Sequence, residues 1–89
     1  METKTMVDEM QLRYPNCIML FQLDEFYFAY GEHACIISDV CGIYNLPDGN
    51  MGYSTSFSRH TAPKIIRQLI GAGLQVAVAN RDTAVYNLN

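Results

Sequence analysis

The stretch Met19-Leu20-Phe21-Gln22-Leu23-Asp24-Glu25-Phe26-Tyr27-Phe28-Ala29-Tyr30-Gly31-Glu32-His33-Ala34 decides how this chain folds. The apolar run from Ile18 to Phe21 reads as a strand buried on both faces. Leu23-Asp24 turns the chain into a second strand, Glu25 to Tyr30, and the pair reads as an antiparallel hairpin. Phe26, Phe28 and Tyr30 stand at spacing two, so in a strand they share one face. That face either fills a core or presents an aromatic platform.

Upstream, Met6, Val7, Met10 and Leu12 give a helix-like stripe over residues 3–13, which Tyr14-Pro15-Asn16 stops. Downstream, Gly31 breaks the second strand. Ala34, Ile37, Val40 and Cys41 recur at helical spacing, so residues 32–41 read as a helix with Gly42 as its C-terminal cap. Ile43 to Leu46 reads as a short strand, Pro47-Asp48-Gly49-Asn50 as a turn, and Met51 to Phe57 as a weakly alternating strand. Thr61-Ala62-Pro63 opens a third helix whose apolar face is Ala62, Ile65, Ile66, Leu69 and Ile70, and Gly73 ends it. Gln75 to Asn80 is a β-rich strand, and residues 84–88 add a short edge strand. Strands alternating with helices imply an α/β (α+β) domain, and the hairpin makes its sheet mixed, with about three helices flanking it.

Eighty-nine residues, 49% of them hydrophobic, suit a single globular domain over residues 1–89. No apolar run is long enough to span a membrane, and the acidic, amphipathic N-terminus lacks the pattern of a secretory signal. An odd number of cysteines, Cys17, Cys35 and Cys41, points to reduced thiols and a cytoplasmic location. Their spacing with His33 and His60 fits no zinc template, so neither a metal nor a cofactor is expected. Charge is uneven. Residues 1–48 carry eight acids and two bases, whereas residues 49–81 carry Arg59, Lys64, Arg67 and Arg81 with no acid. The net charge of −3 does not favour polyanion binding, but the C-terminal half does not exclude it.

The residues also carry a pattern. Tyr14-Pro15, Ile18-Met19-Leu20-Phe21, Phe26-Tyr27, Gly31-Glu32 and Ala34 resemble the N-terminal mismatch-recognition domain of MutS proteins. That family reads as YP, an apolar run, then FR-M-G-D-F-Y-E-L-F-G-E-D-A. His60 falls at the histidine of the family's PYHA, and Leu69-Ile70, Gly73 and Val76-Ala77-Val78 match its helix, terminal glycine and following strand. The likeness runs from Tyr14 to Ala34 and from His60 to about Val78. It implies the fold of that domain and a phenylalanine that wedges into the minor groove beside a mispaired or unpaired base. A glutamate two residues on then hydrogen-bonds the base. Phe26 occupies the wedge position. The chain departs from the family at Phe28, which replaces the glutamate, and at Asp24 and Glu25, which replace its glycine and aspartate. Ser58 and Arg59 stand where the family has proline and tyrosine, and Asn80-Arg81 stand where it has E-Q.

The resemblance therefore implies a non-enzymatic DNA-binding module that prefers mismatched or distorted duplex. Phe26 would be the wedge with Phe28 stacking beside it, and Lys64, Arg67 and Arg59 would lie near phosphates. The His60-Lys64-Arg67 stripe also reads as an ordinary solvated helix face. The alternative function is a protein-interaction or homodimerising module built on the Phe26/Phe28/Tyr30 face, without DNA. Catalysis has little support. Asp24 and Glu25 lack a third carboxylate with a basic partner, Ser54, Ser56 and Ser58 stand in no GxSxG elbow, and no G-x-x-x-x-G-K-[ST] loop is present.

Overall fold

A computed structural model describes the backbone of residues 3–80 and 85–87 and the side chains of residues 4–80. In chain order the elements are α1 (Thr3–Arg13), β1 (Cys17–Leu23), β2 (Phe26–Tyr30), α2 (Glu32–Cys41), β3 (Leu46–Asp48), β4 (Gly52–Ser58), α3 (Ala62–Gly71), β5 (Gln75–Asn80) and β6 (Val85–Asn87). The described strands form one sheet in the order β3-β4-β2-β1-β5-β6. β1 and β5 run parallel, and every other neighbouring pair is antiparallel. The sheet is mixed, as the hairpin implies.

The sheet separates two cores, which explains the unbroken apolar run in β1. On one face Val7 of α1 packs with Cys17, Met19, Phe21, Ala77 and Ala79. On the other, Ile37 of α2 and Ala62, Ile65 and Leu69 of α3 pack with Ile18, Leu20, Ala29, Phe57, Val76 and Val78. Met19 and Leu20, adjacent in β1, point to opposite faces and are both fully buried. A strand between two helical layers has no solvent face, so it shows no polar alternation.

The sequence expectations hold for α2, its αL cap at Gly42 (φ 69) and β5. Four boundaries are corrected. The hairpin turn is Asp24-Glu25 rather than Leu23-Asp24, because Leu23 still pairs with Phe26. β2 accordingly begins at Phe26. The strand expected at Ile43 to Leu46 lies instead at Leu46–Asp48. Ile43 packs against the α2/α3 core, while Pro47 sits in an edge strand, where a missing N–H costs no ladder bond. α3 stops at Gly71, two residues before Gly73, which takes a left-handed φ of 87° in the reversal into β5. Ile70, assigned to the buried face of α3, is exposed, whereas Ala62, Ile65 and Leu69 are buried.

The junction of β2 and α2 is tightly determined. Gly31 has φ 63°, and a Cβ there would meet the Met51 carbonyl oxygen at 3.3 Å, so only glycine fits the bend without strain. The β1–β2 ladder stops at Phe21–Phe28, so no β2 residue pairs with Met19. The Met19 N–H instead donates to His33 Nδ1 of α2 at 3.1 Å. Burial lowers the imidazole pKa, against a smaller opposing pull from Glu32. The neutral ring with its free Nδ1 lone pair is the form that fits.

Candidate nucleic-acid interface

The β1–β2 turn leaves two apolar side chains in solvent. Leu23 and Phe26 are direct cross-strand partners on the α1 side of the sheet, and they are 42% and 50% exposed. α1 runs from Thr3 to Arg13 and covers the middle of this face through Val7. It does not cover the turn end. A half-exposed phenylalanine at the head of a strand beside a half-exposed leucine is a small apolar knob on a rigid base.

Further along the same face, Phe28 and Tyr30 are partly buried against the α1-side core. Their rings lie nearly parallel, 6.4 Å apart and 7° off, and Tyr30 also meets Phe21 at 6.0 Å. Burial, with help from Asp48, raises the Tyr30 phenol pKa. The three aromatics do share a face, but they do not form one exposed platform. Phe26 projects, while Phe28 and Tyr30 brace the strand beneath it.

Across the ladder, β4 places Ser58 opposite Phe26, Ser56 opposite Phe28 and Ser54 opposite Tyr30. The aromatic row of β2 is therefore flanked by a row of hydroxyls. Ser58 is engaged, since its Oγ lies 3.3 Å from Thr61 Oγ1 and accepts from the Thr61 N–H at 3.3 Å. Those contacts fasten the start of α3 to the end of β4.

The turn is also clamped to β4. The Arg59 N–H donates to the Glu25 carbonyl at 2.8 Å, and Arg59 Nε donates to Glu25 Oε2 at 2.9 Å. The carboxylate next to Phe26 thus has a guanidinium partner, and both side chains are more than half exposed. Asp24 takes φ 54° at the first turn position, a conformation that hairpin turns need and that Asp tolerates better than most side chains.

The structure brings Arg59 to the knob but sets Lys64 and Arg67 apart from it. Both are exposed on α3, which packs on the opposite face of the sheet. Lys64 lies in the first helical turn, near the Ser58–Thr61 junction, and Arg67 lies one turn further away. Among the described residues, no three His, Cys, Asp or Glu side chains gather as metal ligands. No described helix is long and apolar enough to cross a membrane. Sequence reasoning missed Leu23 and Glu25–Arg59. The two-residue turn carries the signal for Leu23, but the ion pair depends on a β2–β4 pairing that no local pattern shows.

Residues 3–85 match the family MutS domain I. The chain is 30% identical over 79 residues to the DNA mismatch repair protein MutS of Flavobacterium johnsoniae. It is 31% identical over 78 residues to that of Phocaeicola vulgatus and 29% identical over 77 residues to that of Parabacteroides distasonis. These alignments cover 82–83% of this chain but only 9% of each relative.

Proposed function

The chain belongs to the MutS domain I family, and from that premise we propose that it is a non-enzymatic module that binds mismatched or distorted duplex DNA through Phe26. The carrying observation is that Phe26 is 50% exposed at the turn end of the hairpin with Leu23 beside it. A ring presented this way can enter the minor groove and unstack one base step. The cost is lowest where pairing is already broken, so the same insertion selects distorted sites.

The surrounding charges tune this reading. Arg59 offsets Glu25 at the turn, beside the wedge. Lys64 follows it along the start of α3, and Arg67 contributes only from a distance. Asp24 stays exposed beside the ring. At low salt a carboxylate approaching a phosphate costs on the order of 1 kcal/mol. With Arg59 paired to Glu25, the module alone binds weakly, with Kd about 0.1 mM and a shallow salt dependence. Phe28 lends support by packing rather than by stacking on a base.

The test is a titration of labelled matched, mismatched and bulged duplexes at low salt, followed by anisotropy. The reading expects a preference for the distorted duplexes that Phe26→Ala removes. Equal, salt-sensitive binding to all three overturns it and leaves only charge. Absence of binding, together with a dimer seen by light scattering, favours the protein-interaction reading instead.

A further inference from the structure

We propose that the Ser56 hydroxyl is the polar partner of the wedge, donating a hydrogen bond to the minor-groove edge of the base beside the inserted Phe26 ring. The inference rests on the wedge reading above. An inserted ring strips water from the neighbouring base edge, and an acceptor left unsatisfied there weakens the complex. A polar atom on the same face, close to the ring and unengaged, removes that cost.

The sheet register identifies it. On the Phe26 face, β1 contributes Leu23 and Phe21, and β2 contributes Phe28 and Tyr30. Phe28 has no polar atom, and Tyr30 lies four residues along the strand from Phe26. The β4 hydroxyl row is nearer. Ser58 stands directly opposite Phe26 but is held by Thr61. Ser54 lies opposite Tyr30. Ser56, opposite Phe28, is diagonal to Phe26, a spacing of roughly 7–8 Å in an antiparallel ladder. It is exposed, and no hydrogen bond among the described residues engages its hydroxyl. A groove opened by an aromatic wedge has room for both side chains.

The chemistry fixes what Ser56 would read. A hydroxyl donates readily to adenine N3 or thymine O2, and every base pair presents such an acceptor in the minor groove. The contact therefore stabilises the wedged complex without choosing a base. Selectivity then stays with the ease of unstacking, which fits a site that must accept many different mispairs.

The experiment compares the native chain, Ser56→Ala, Ser56→Thr and Phe26→Ala on duplexes with one unpaired adenine or one unpaired 3-deazaadenine, which lacks the N3 acceptor. Binding is read by anisotropy at low salt, and folding by the thermal transition. Ser56→Ala is expected to weaken binding to the adenine bulge roughly two- to tenfold. Its melting temperature is expected to stay within a few degrees of the native value, and Ser56→Thr should retain affinity. The 3-deaza substitution should cost the native chain a similar factor and cost Ser56→Ala nothing further. Native affinity in Ser56→Ala, or indifference of the native chain to the 3-deaza base, overturns the Ser56 contact while Phe26→Ala still reports on the wedge. If Phe26→Ala leaves the preference for the bulge intact, the wedge reading itself fails and Ser56 falls with it.

Discussion

Replacing Phe26 with alanine separates recognition from folding, because the two roles differ in size. A fully buried phenylalanine side chain contributes about 1.5–3 kcal/mol by transfer from water. Phe26 keeps half its surface in solvent, so roughly half of that is at stake. No closed cavity forms at an open turn, so the cavity penalty of a core substitution is absent. Phe26→Ala should therefore cost about 1 kcal/mol of stability, a fall of roughly 4–8 °C in melting temperature for a domain of this size. Its effect on DNA should be larger, since removing an aromatic that stacks on a base costs about 1–3 kcal/mol, or roughly 5- to 150-fold in affinity. The assays are a thermal melt by circular dichroism and anisotropy on matched and bulged duplexes. A loss of 3–5 kcal/mol, the size of a buried aromatic truncation, would place the ring in the core and refute the reasoning. So would an unchanged ratio of bulged to matched affinity.

Three further outcomes follow from the geometry. Glu25→Gln removes the carboxylate facing Arg59 and leaves its guanidinium for a phosphate, so affinity for any duplex should rise; stability should change by less than about 1 kcal/mol because the pair is exposed, and weaker DNA binding would contradict this. Asp24→Gly relieves a positive φ at the turn and should raise stability by up to about 1 kcal/mol, read as a higher urea midpoint, whereas Asp24→Val should lower it. His33 has a lowered pKa in the folded chain, so its contribution is complete above the ordinary value of 6.5 and is lost as pH falls below 6.5 through the depressed folded value. Melting temperature should drop across that acid window, and His33→Asn, which offers an amide oxygen near the Nδ1 position, should flatten the drop; identical pH profiles would contradict the Met19–His33 bond.

Local pattern made some elements legible and left others hidden. β5 and α2 were readable because Val76-Ala77-Val78 lies between turn residues and because Gly31 and Gly42 punctuate the helix at both ends. β3 was not, since Pro47 and Asp48 have the composition of a turn, and only pairing with Tyr53 and Gly52 makes them strand. The shared face of Phe26, Phe28 and Tyr30 follows from strand periodicity alone. Which of the three is exposed does not, because Phe28 and Tyr30 pack against a core assembled from α1, β1 and β5, whereas Phe26 at the turn end stays half exposed. The grouping of Arg59, Ser56 and Ser58 around the ring is likewise a product of the β2–β4 register, which joins residues about thirty apart in sequence. The separation of Lys64 and Arg67 from the wedge has the same origin: helical spacing places them on one stripe, but not on a side of the sheet.

The wedge is tested most directly by intermolecular contacts in solution. Protein labelled on its phenylalanine rings, mixed with a duplex carrying one unpaired base, should show nuclear Overhauser effects from the Phe26 ring protons to sugar and base protons lining the minor groove at the bulge. Perturbations confined to Arg59, Lys64 and Arg67, with the Phe26 ring unchanged from the free protein, would contradict insertion.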